Sequence, residues 1–194
     1  TTAKVYGYFS KETLYRLNLA EVLKSRDRIL YIDADGIVAK DITPLARMDL
    51  GGNIIAAVHD VAMEAFQNMK VPALAQCGDM AAETYCRVYL GMAEAHDRYF
   101  QAGFLVMDLA ALRREGLCRS MVNDVLSRPY WFLDQDVLNK HLVGRVKFLD
   151  PQWNVVSLDA RHRSYLSNAT QVELARAQAD PGFIHFAGYG KPWN

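Results

Sequence analysis

The sequence lacks the features that mark several classes of protein. Its three cysteines, Cys77, Cys86 and Cys118, are odd in number and fit no metal-ligand spacing, so we expect reduced, partly buried thiols. No apolar run approaches the ~20 residues of a membrane span, and the first residues show no signal-peptide pattern. Lysine and arginine balance aspartate and glutamate at 22 each, so no overall charge favours nucleic acid. These absences predict a cytoplasmic protein with no transmembrane segment and no nucleic-acid partner.

What is present is an ordinary globular composition. Of the 194 residues, 51% are hydrophobic and 23% are charged, which suffices for one domain with a core. Predicted strands alternate with predicted helices, so we expect an α/β sandwich around a mostly parallel sheet. The strands are predicted at residues 28–32, 53–58, 99–107, 145–149 and 183–186.

Capping residues predict where two of the helices begin. Ser10 is expected to cap a helix whose apolar residues, Tyr15 and Val22 among them, lie at helical spacing. Thr170 and Glu173 form a capping-box pattern that predicts the start of a later helix. Further helical segments are predicted at residues 109–126 and 134–141.

Two carboxylates, Asp33 and Asp35, come directly after the first predicted strand. That position is the carboxyl edge of a sheet, where α/β folds bind ligands. Residues two apart on an extended chain share a face, so both carboxylates can address one cation. Oxygen ligands suit Mg²⁺ or Mn²⁺, and a diphosphate would complete the coordination shell. The alternative is a plain turn, because aspartate and glycine are common turn residues.

A second polar segment, His-Phe-Ala-Gly-Tyr-Gly-Lys-Pro-Trp at residues 185–193, follows the last predicted strand. His185 could supply an imidazole ligand, Gly188 a close approach of the backbone, and Lys191 a cation for phosphate. Alternatively, His185 is a packed core side chain and Lys191 a solvated surface charge.

Five segments, taken in order, carry a resemblance to one enzyme family. They are Leu-Tyr-Ile-Asp-Ala-Asp at 30–35 with Asp-Ile-Thr-Pro-Leu at 41–45, Tyr-Phe-Gln-Ala-Gly at 99–103, Leu-Asp-Gln-Asp-Val-Leu-Asn at 133–139, Trp-Asn at 153–154, and the segment at 185–193. Together they resemble the retaining enzymes of glycosyltransferase family 8, especially bacterial lipopolysaccharide glucosyl- and galactosyltransferases. The resemblance implies a GT-A, Rossmann-like fold. It also implies that residues 1–194 are a single catalytic domain that lacks its first strands and is truncated at both ends.

The resemblance also implies a function. It implies transfer of a hexose, glucose or galactose, from a UDP-sugar to a saccharide acceptor such as lipopolysaccharide core. Mn²⁺ would be the cofactor, with Mg²⁺ as the alternative. The protein would act in the cytoplasm, at the inner face of the bacterial membrane, with peripheral membrane contact through a region absent from this chain.

Site residues carry over from the family position by position. Metal binding is implied for Asp33, Asp35 and His185, and catalytic positions facing the donor sugar for Asp134 and Gln135. Donor binding is implied for a larger set, which consists of Thr13, Arg16, Asp33, Ala34, Asp35, Gln101, Ala102, Gly103, Gly188 and Lys191. An acidic residue near the sugar or the acceptor corresponds to Asp60.

Local sequence offers plainer interpretations of several of these residues. Asp134 could be only a helix cap, Gln135 a surface residue and Asp60 a loop acid. Asp136 and Asn139 could simply stabilise the start of their helix.

Two competing functions remain open at this point. The segment 29–36 also resembles the Asp-x-Asp-Gly signature of haloacid-dehalogenase-type, Mg²⁺-dependent phosphatases, with Asp33 as nucleophile and Asp35 as acid. The second is a nucleotide-sugar-binding protein whose catalysis has decayed. It is suggested by the missing first strands and by Gln101, which stands where family 8 usually has asparagine.

Overall fold

A computed structural model describes residues 11–93, 98–188 and 190–193 of the chain, except the side chain of Lys11. The predicted cap at Ser10 and the Tyr189 position of the final segment therefore lie outside the described residues. Seven strands are present within those residues, in two sheets. They are β1 (Arg28–Ile32), β2 (Gly36–Val38), β3 (Ile55–His59), β4 (Phe100–Asp108), β5 (Val146–Phe148), β6 (Val155–Val156) and β7 (Phe183–His185).

The larger sheet has the strand order β1-β4-β3-β5, and the smaller one has the order β2-β7-β6. The expected α/β class is confirmed, but the expectation of a mostly parallel sheet is wrong for the described strands. Only the β3–β5 and β6–β7 pairs are parallel, whereas β1–β4, β3–β4 and β2–β7 are antiparallel. The cause is visible where His59, at the end of β3, pairs with Phe100, at the start of β4. The chain between them leaves and returns at one end of the sheet, so β4 must run backwards.

Nine α-helices cover the sheets within the described residues. They are α1 (Leu19–Val22), α2 (Thr43–Ala46), α3 (Val61–Asn68), α4 (Ala82–Thr84), α5 (Leu109–Arg114), α6 (Leu117–Ser127), α7 (Leu133–His141), α8 (Ala160–Arg163) and α9 (Asn168–Ala179). Further 3₁₀ or π segments occupy Lys11–Asn18, Ala75–Cys77, Tyr85–Tyr89 and Pro151–Asn154. None of the described helices combines the length and the apolarity that crossing a membrane requires.

The core lies on both faces of the larger sheet. Along β4, Leu105 and Met107 join one apolar cluster, while Phe104 and Val106 join another on the opposite face. This alternation is the period of two expected of a strand, and burial on both faces explains why β4 is almost uniformly apolar. The three cysteines are buried and free.

Two details of the predicted helices are wrong. Tyr15 and Val22 are 65% and 68% exposed, because the first turns after Lys11 are 3₁₀ rather than α-helical and a different face packs inward. Thr170 does not cap α9. The cap is Ser167, whose hydroxyl accepts the Thr170 N–H, which places Thr170 in the first turn of the helix.

Candidate functional site

Asp33, Asp35 and His185 converge at one end of the sheets. Asp33 immediately follows β1, and its N–H donates to Gly103 O on β4 at 2.8 Å. Asp35 immediately precedes β2, and the β2–β7 pairing sets Gly36 directly opposite His185. The sequence brings the two carboxylates to the sheet edge, and the antiparallel pairing with β7 brings the imidazole to them.

The three side chains form a donor set that fits a divalent cation. One ligand atom from each lies within 4.8 Å of the others. His185 Nε2 is 3.2 Å from Asp35 Oδ1 and 3.8 Å from Asp33 Oδ2. Burial lowers the pKa of His185 in spite of the two nearby carboxylates, which favours the neutral imidazole that binds metals. Two carboxylate oxygens and one imidazole nitrogen are ligands that Mn²⁺ and Mg²⁺ accept.

Asp33 is oriented by two donors that leave one of its oxygens facing this cluster. Its Oδ1 accepts hydrogen bonds from Arg16 at 2.8 Å and from the Tyr31 hydroxyl at 2.7 Å. The Arg16 guanidinium also lies over the Tyr31 ring, 4.6 Å from its centre. Because Oδ1 is already engaged, Oδ2 is the oxygen presented toward His185.

Arg16 extends from the metal cluster to the start of α7. It donates to Ala102 O at 2.6 Å, and its Nε lies 2.8 Å from Asp134 Oδ2. The Nε and Oδ2 atoms attract each other as ions but are poorly aligned, and neither has a hydrogen-bond partner among the described residues. Burial raises the pKa of Asp134 to about 7, although Arg16 acts in the opposite direction. Asp134 is therefore a buried acid in the cleft, and the interpretation as a helix cap is wrong, because Phe132 occupies that position.

Gln135 is held at both ends of its amide. Its Oε1 accepts the Ala102 N–H at 2.8 Å, and its Nε2 donates to Asp60 Oδ2, also at 2.8 Å. The other oxygen of Asp60 caps α3 by accepting the N–H groups of Ala62 and Met63. Asp60 is therefore neither a free loop acid nor exposed, and burial raises its pKa.

The start of α7 has a strained backbone that a buried network holds in place. Leu133 has a φ of 46°, an unfavourable value for a side chain of this size. Asp136 accepts hydrogen bonds from the Tyr85 hydroxyl, the Tyr99 hydroxyl and the Phe132 N–H. Asp136 thus stabilises the helix start, as its plainer interpretation predicted. This turn directs Asp134 and Gln135 into the cleft.

The final segment lies beside the metal cluster. Lys191 Nζ donates to Asp35 Oδ2 at 2.5 Å and to Phe186 O at 2.6 Å. Partial burial acts to raise the pKa of Asp35, but the bond from Lys191 and the nearby His185 outweigh it and lower the pKa. Gly188 has a φ of +85°, and no atom of the described residues, its chain neighbours aside, lies within 4 Å of where its Cβ would be, so the backbone there is open to a ligand.

Asn154, which the motif matches included without a role, lies directly behind the metal cluster. Its Oδ1 is 3.0 Å from His185 Nδ1, and its Nδ2 donates to Gln101 Oε1. Gly103 lies against the same imidazole, because a Cβ at that position would be 2.3 Å from His185 Cε1. Tyr31 was not predicted as a site residue, and only its place two residues before Asp33 could have indicated it.

These groups surround one cleft of about 580 Å³. All of the predicted site residues except Gly103 line it. The wall beyond Asp60 and Gln135 is largely apolar and includes Ala62, Met63, Phe66, Phe132, Val156 and Leu158, together with the polar Ser157. A polar end with two carboxylates, an imidazole and a lysine thus passes into an apolar end, with Asp134 and Gln135 between them.

The family profile described as glycosyl transferase family 8 matches residues 3–194. The chain belongs to this family. The match covers the described residues that form the cleft. It supports the resemblance of the Asp-x-Asp segment to family 8 over its resemblance to the phosphatases.

Several relatives resemble this family 8 chain over nearly its whole length. It is 26% identical to General stress protein A of Bacillus subtilis, covering 97% of the chain and 61% of the relative. It is 27% identical to lipopolysaccharide 1,2-glucosyltransferase of Escherichia coli, covering 96% and 50%. It is 28% identical to lipopolysaccharide 1,3-galactosyltransferase of Salmonella typhimurium, covering 94% and 49%. The chain thus spans about half to three-fifths of the length of these relatives.

Solved structures of glycosyltransferases share the fold. The apo structure of the bifunctional glycosyltransferase WbbM superposes with a TM-score of 0.89 at 33% identity, covering 99% of this chain and 34% of that one. The galactosyltransferase LgtC, solved in complex with donor and acceptor sugar analogues, gives 0.73 at 26% identity, covering 96% and 62%. The GT-A fold expected from the sequence is therefore confirmed.

Proposed function

We propose that the protein is a retaining hexosyltransferase that moves glucose or galactose from a UDP-sugar to a saccharide acceptor, such as lipopolysaccharide core, in a metal-dependent reaction. One observation carries the proposal: Asp33, Asp35 and His185 meet within 4.8 Å, at the polar end of a cleft that also contains Lys191 and Gln135. A metal cluster next to a lysine suits a diphosphate, and amide and carboxyl groups a few ångströms away suit the hydroxyls of a sugar.

Asp33 Oδ2, Asp35 Oδ1 and His185 Nε2 are the atoms proposed to hold Mn²⁺ or Mg²⁺. When bound, the cation would offset the negative charge that grows on the departing UDP. Lys191 would stabilise the same negative charge on UDP by exchanging its hydrogen bond to Asp35 for one to a phosphate oxygen. Gly188 supports a close approach of the diphosphate, since none of the described residues beyond its chain neighbours has an atom within 4 Å of where its Cβ would be.

Gln135 is proposed to orient the sugar rather than to form a covalent bond. An amide is a poor nucleophile, and both ends of this one are already hydrogen bonded, to Ala102 and to Asp60. The proposed route to retention is therefore front-face attack by the acceptor hydroxyl, assisted by the leaving phosphate. Asp134, buried and with its pKa raised to about 7, would hold Arg16 and face the donor sugar.

The printed functions of the relatives support the choice of sugars. The two lipopolysaccharide enzymes transfer glucose and galactose, and both resemble this chain across more than nine-tenths of its length. We further propose that the protein works in the cytoplasm, against the inner face of the membrane.

The test is a transfer assay with the full-length protein. Radiolabelled UDP-glucose and UDP-galactose are incubated with lipopolysaccharide core acceptors, with Mn²⁺ or with EDTA. Transfer that EDTA abolishes supports the proposal. Metal-dependent UDP binding with neither transfer nor donor hydrolysis would favour the decayed binding protein. Phosphate release from simple phosphoesters would favour the phosphatase and contradict the proposal.

A further inference from the structure

A chain of hydrogen bonds runs from the backbone of β4 to the imidazole of His185. Gln101 Oε1 accepts the N–H of Gly103 and also the Nδ2 of Asn154. Asn154 Oδ1 in turn lies 3.0 Å from His185 Nδ1. Asn154 and His185 are only 4% and 3% exposed, so water has little access to replace these contacts.

The direction of each bond follows from the first one. A backbone N–H can only donate, so the atom of Gln101 that faces Gly103 must be the amide oxygen. That oxygen also faces Asn154, which must therefore turn its amino group toward Gln101 and its oxygen toward His185. An oxygen at 3.0 Å from Nδ1 requires a proton on Nδ1. In a neutral imidazole, Nε2 is then the nitrogen with the free lone pair.

In the neutral ring, the nitrogen left without a proton is the one that faces the two carboxylates, so a cation rather than a ring proton would lie between them. His185 Nε2 lies 3.2 Å from Asp35 and 3.8 Å from Asp33. The ring is also fixed in position, because its Cε1 edge packs against Gly103, where a Cβ would come within 2.3 Å. The chain of hydrogen bonds sets the tautomer of His185, and the packing against Gly103 sets its orientation, as a metal ligand needs.

We propose that Gln101 is a positioning residue that fixes the tautomer of His185 through Asn154. This inference rests on the proposed function in one respect, namely that His185 binds a metal. It changes the role expected of Gln101 from the family resemblance, which was a contact with the donor. The amide oxygen of Gln101 is committed to Gly103 and Asn154, and its Nε2 has no hydrogen-bond partner among the described residues.

The direct test is the tautomer of His185 in the metal-free, full-length protein. Long-range ¹H–¹⁵N correlation spectra of the imidazole, recorded at mildly alkaline pH, distinguish a proton on Nδ1 from one on Nε2. We expect Nδ1–H in the wild type, opposite to the preference of free histidine. We expect Gln101→Met, which has a similar length but no amide oxygen, to shift the ring toward Nε2–H. A wild-type ring with its proton on Nε2 would overturn the proposal.

Metal affinity provides the second readout. Calorimetric titration with Mn²⁺ alone is expected to show that Gln101→Met and Asn154→Leu weaken binding about 10- to 100-fold, the range known for groups that orient a metal ligand. Gln101→Glu keeps an acceptor oxygen at the same reach and should restore both the affinity and the tautomer. Gln171→Met makes the same change on α9, outside the cleft, and should have no effect.

The two measurements separate failure of this proposal from failure of the proposed function. If the wild type does not bind Mn²⁺, the proposed function fails, but the imidazole spectra still decide the tautomer. If Mn²⁺ binds and Gln101→Met changes neither the affinity nor the tautomer, while circular dichroism shows a folded protein, the positioning role is wrong. If Gln101→Met is unfolded, Gln101→Glu decides: a folded variant with an Nε2–H ring would overturn the proposal.

Discussion

Gln135 Nε2 donates a 2.8 Å hydrogen bond to Asp60 Oδ2, and this bond joins the start of α7 to the amino terminus of α3. Because Asp60 Oδ1 also accepts two backbone N–H groups, one carboxylate both caps a helix and fixes a proposed catalytic side chain. The two roles belong to different oxygens and can be separated by mutation.

Asp60→Asn should leave folding nearly intact while reducing sugar transfer. Its amide oxygen can still cap α3, but its amino group would face Gln135 Nε2, and two donors cannot bond to each other. Asp60→Ala loses the cap as well, so we expect it to lower the free energy of unfolding by about 0.5–2 kcal/mol. Urea unfolding and transfer rates of both variants check this. Equal losses of stability in the two variants would show that the capping role of Asp60 and its contact with Gln135 cannot be separated.

Asp134 should make stability depend on pH in a definite direction. Burial raises its pKa from 3.8 to about 7, so the folded protein binds this proton more tightly than the unfolded chain does. Its contribution to stability is therefore fully present below pH 3.8 and is lost as the pH rises through about 7.

Asp134→Asn removes that titration, so its unfolding free energy should fall less steeply than that of the wild type across this pH window. Chemical unfolding at a series of pH values measures both profiles. The difference between them isolates Asp134 from Asp136, whose pKa burial raises to about 6 and which titrates in both proteins. Parallel profiles would contradict the raised pKa.

Gly103→Ala should damage metal binding through His185. The added Cβ would lie 2.3 Å from His185 Cε1 and 2.7 Å from its Nδ1, so the imidazole must leave the position in which Nε2 faces the carboxylates. We expect Mn²⁺ affinity to fall about 10-fold or more. Gly190→Ala is the matched control, because in the described part of the chain no atom beyond its sequence neighbours lies within 4 Å of the place that its added Cβ would take. Unchanged affinity in Gly103→Ala would mean that His185 does not need its present position.

Lys191→Ala should weaken UDP binding in the presence of Mn²⁺ by roughly 1–3 kcal/mol, the worth of a charge-assisted hydrogen bond. Lys40→Ala removes a lysine that also contacts an aspartate, Asp180, but that lies outside the cleft. It should leave UDP affinity unchanged. Calorimetry on the full-length protein compares the two. Equal affinities in both variants would remove Lys191 from the proposed diphosphate site.

Much of the fold and of the site could be predicted from the sequence because their signals are local. The strand at 28–32 is an apolar run that ends in charges, and the observed β1 has the same bounds. The direction of β4 could not be predicted in the same way. It depends on where a long helical segment returns to the sheet, and alternation of elements carries no information about that.

The role of Asp134 shows the same limit within the site. An aspartate near a predicted helix start suggests a cap, and local sequence offers nothing else. The observed helix begins one residue earlier, at Leu133, whose φ of 46° turns Asp134 inward toward Arg16. A positive φ at leucine is rare, and here it depends on the Asp136 network formed with Tyr85 and Tyr99. Such long-range stabilisation leaves no trace in the local pattern.

The site residues are proposed to divide two roles, with Asp33, Asp35 and His185 binding the diphosphate through a metal and Gln135 orienting the sugar. The consequences of this division differ for two variants. Asp35→Asn removes a charged metal ligand but keeps a similar shape. Gln135→Ala removes a group that contacts neither the metal cluster nor Lys191 in this structure. If the interaction of Gln135 with the sugar strengthens only in the transition state, Gln135→Ala should lower kcat by roughly 10²- to 10³-fold.

The most direct measurement is calorimetric titration of UDP into the full-length wild type, Asp35→Asn and Gln135→Ala, each with Mn²⁺ and with EDTA. Transfer rates are measured on the same preparations. We predict that Asp35→Asn binds UDP equally weakly under both conditions and transfers no sugar. Gln135→Ala should keep wild-type, Mn²⁺-dependent UDP binding and lose only the rate of transfer. Loss of UDP binding in Gln135→Ala, with normal transfer per bound donor, would show that Gln135 serves donor binding and not the sugar chemistry.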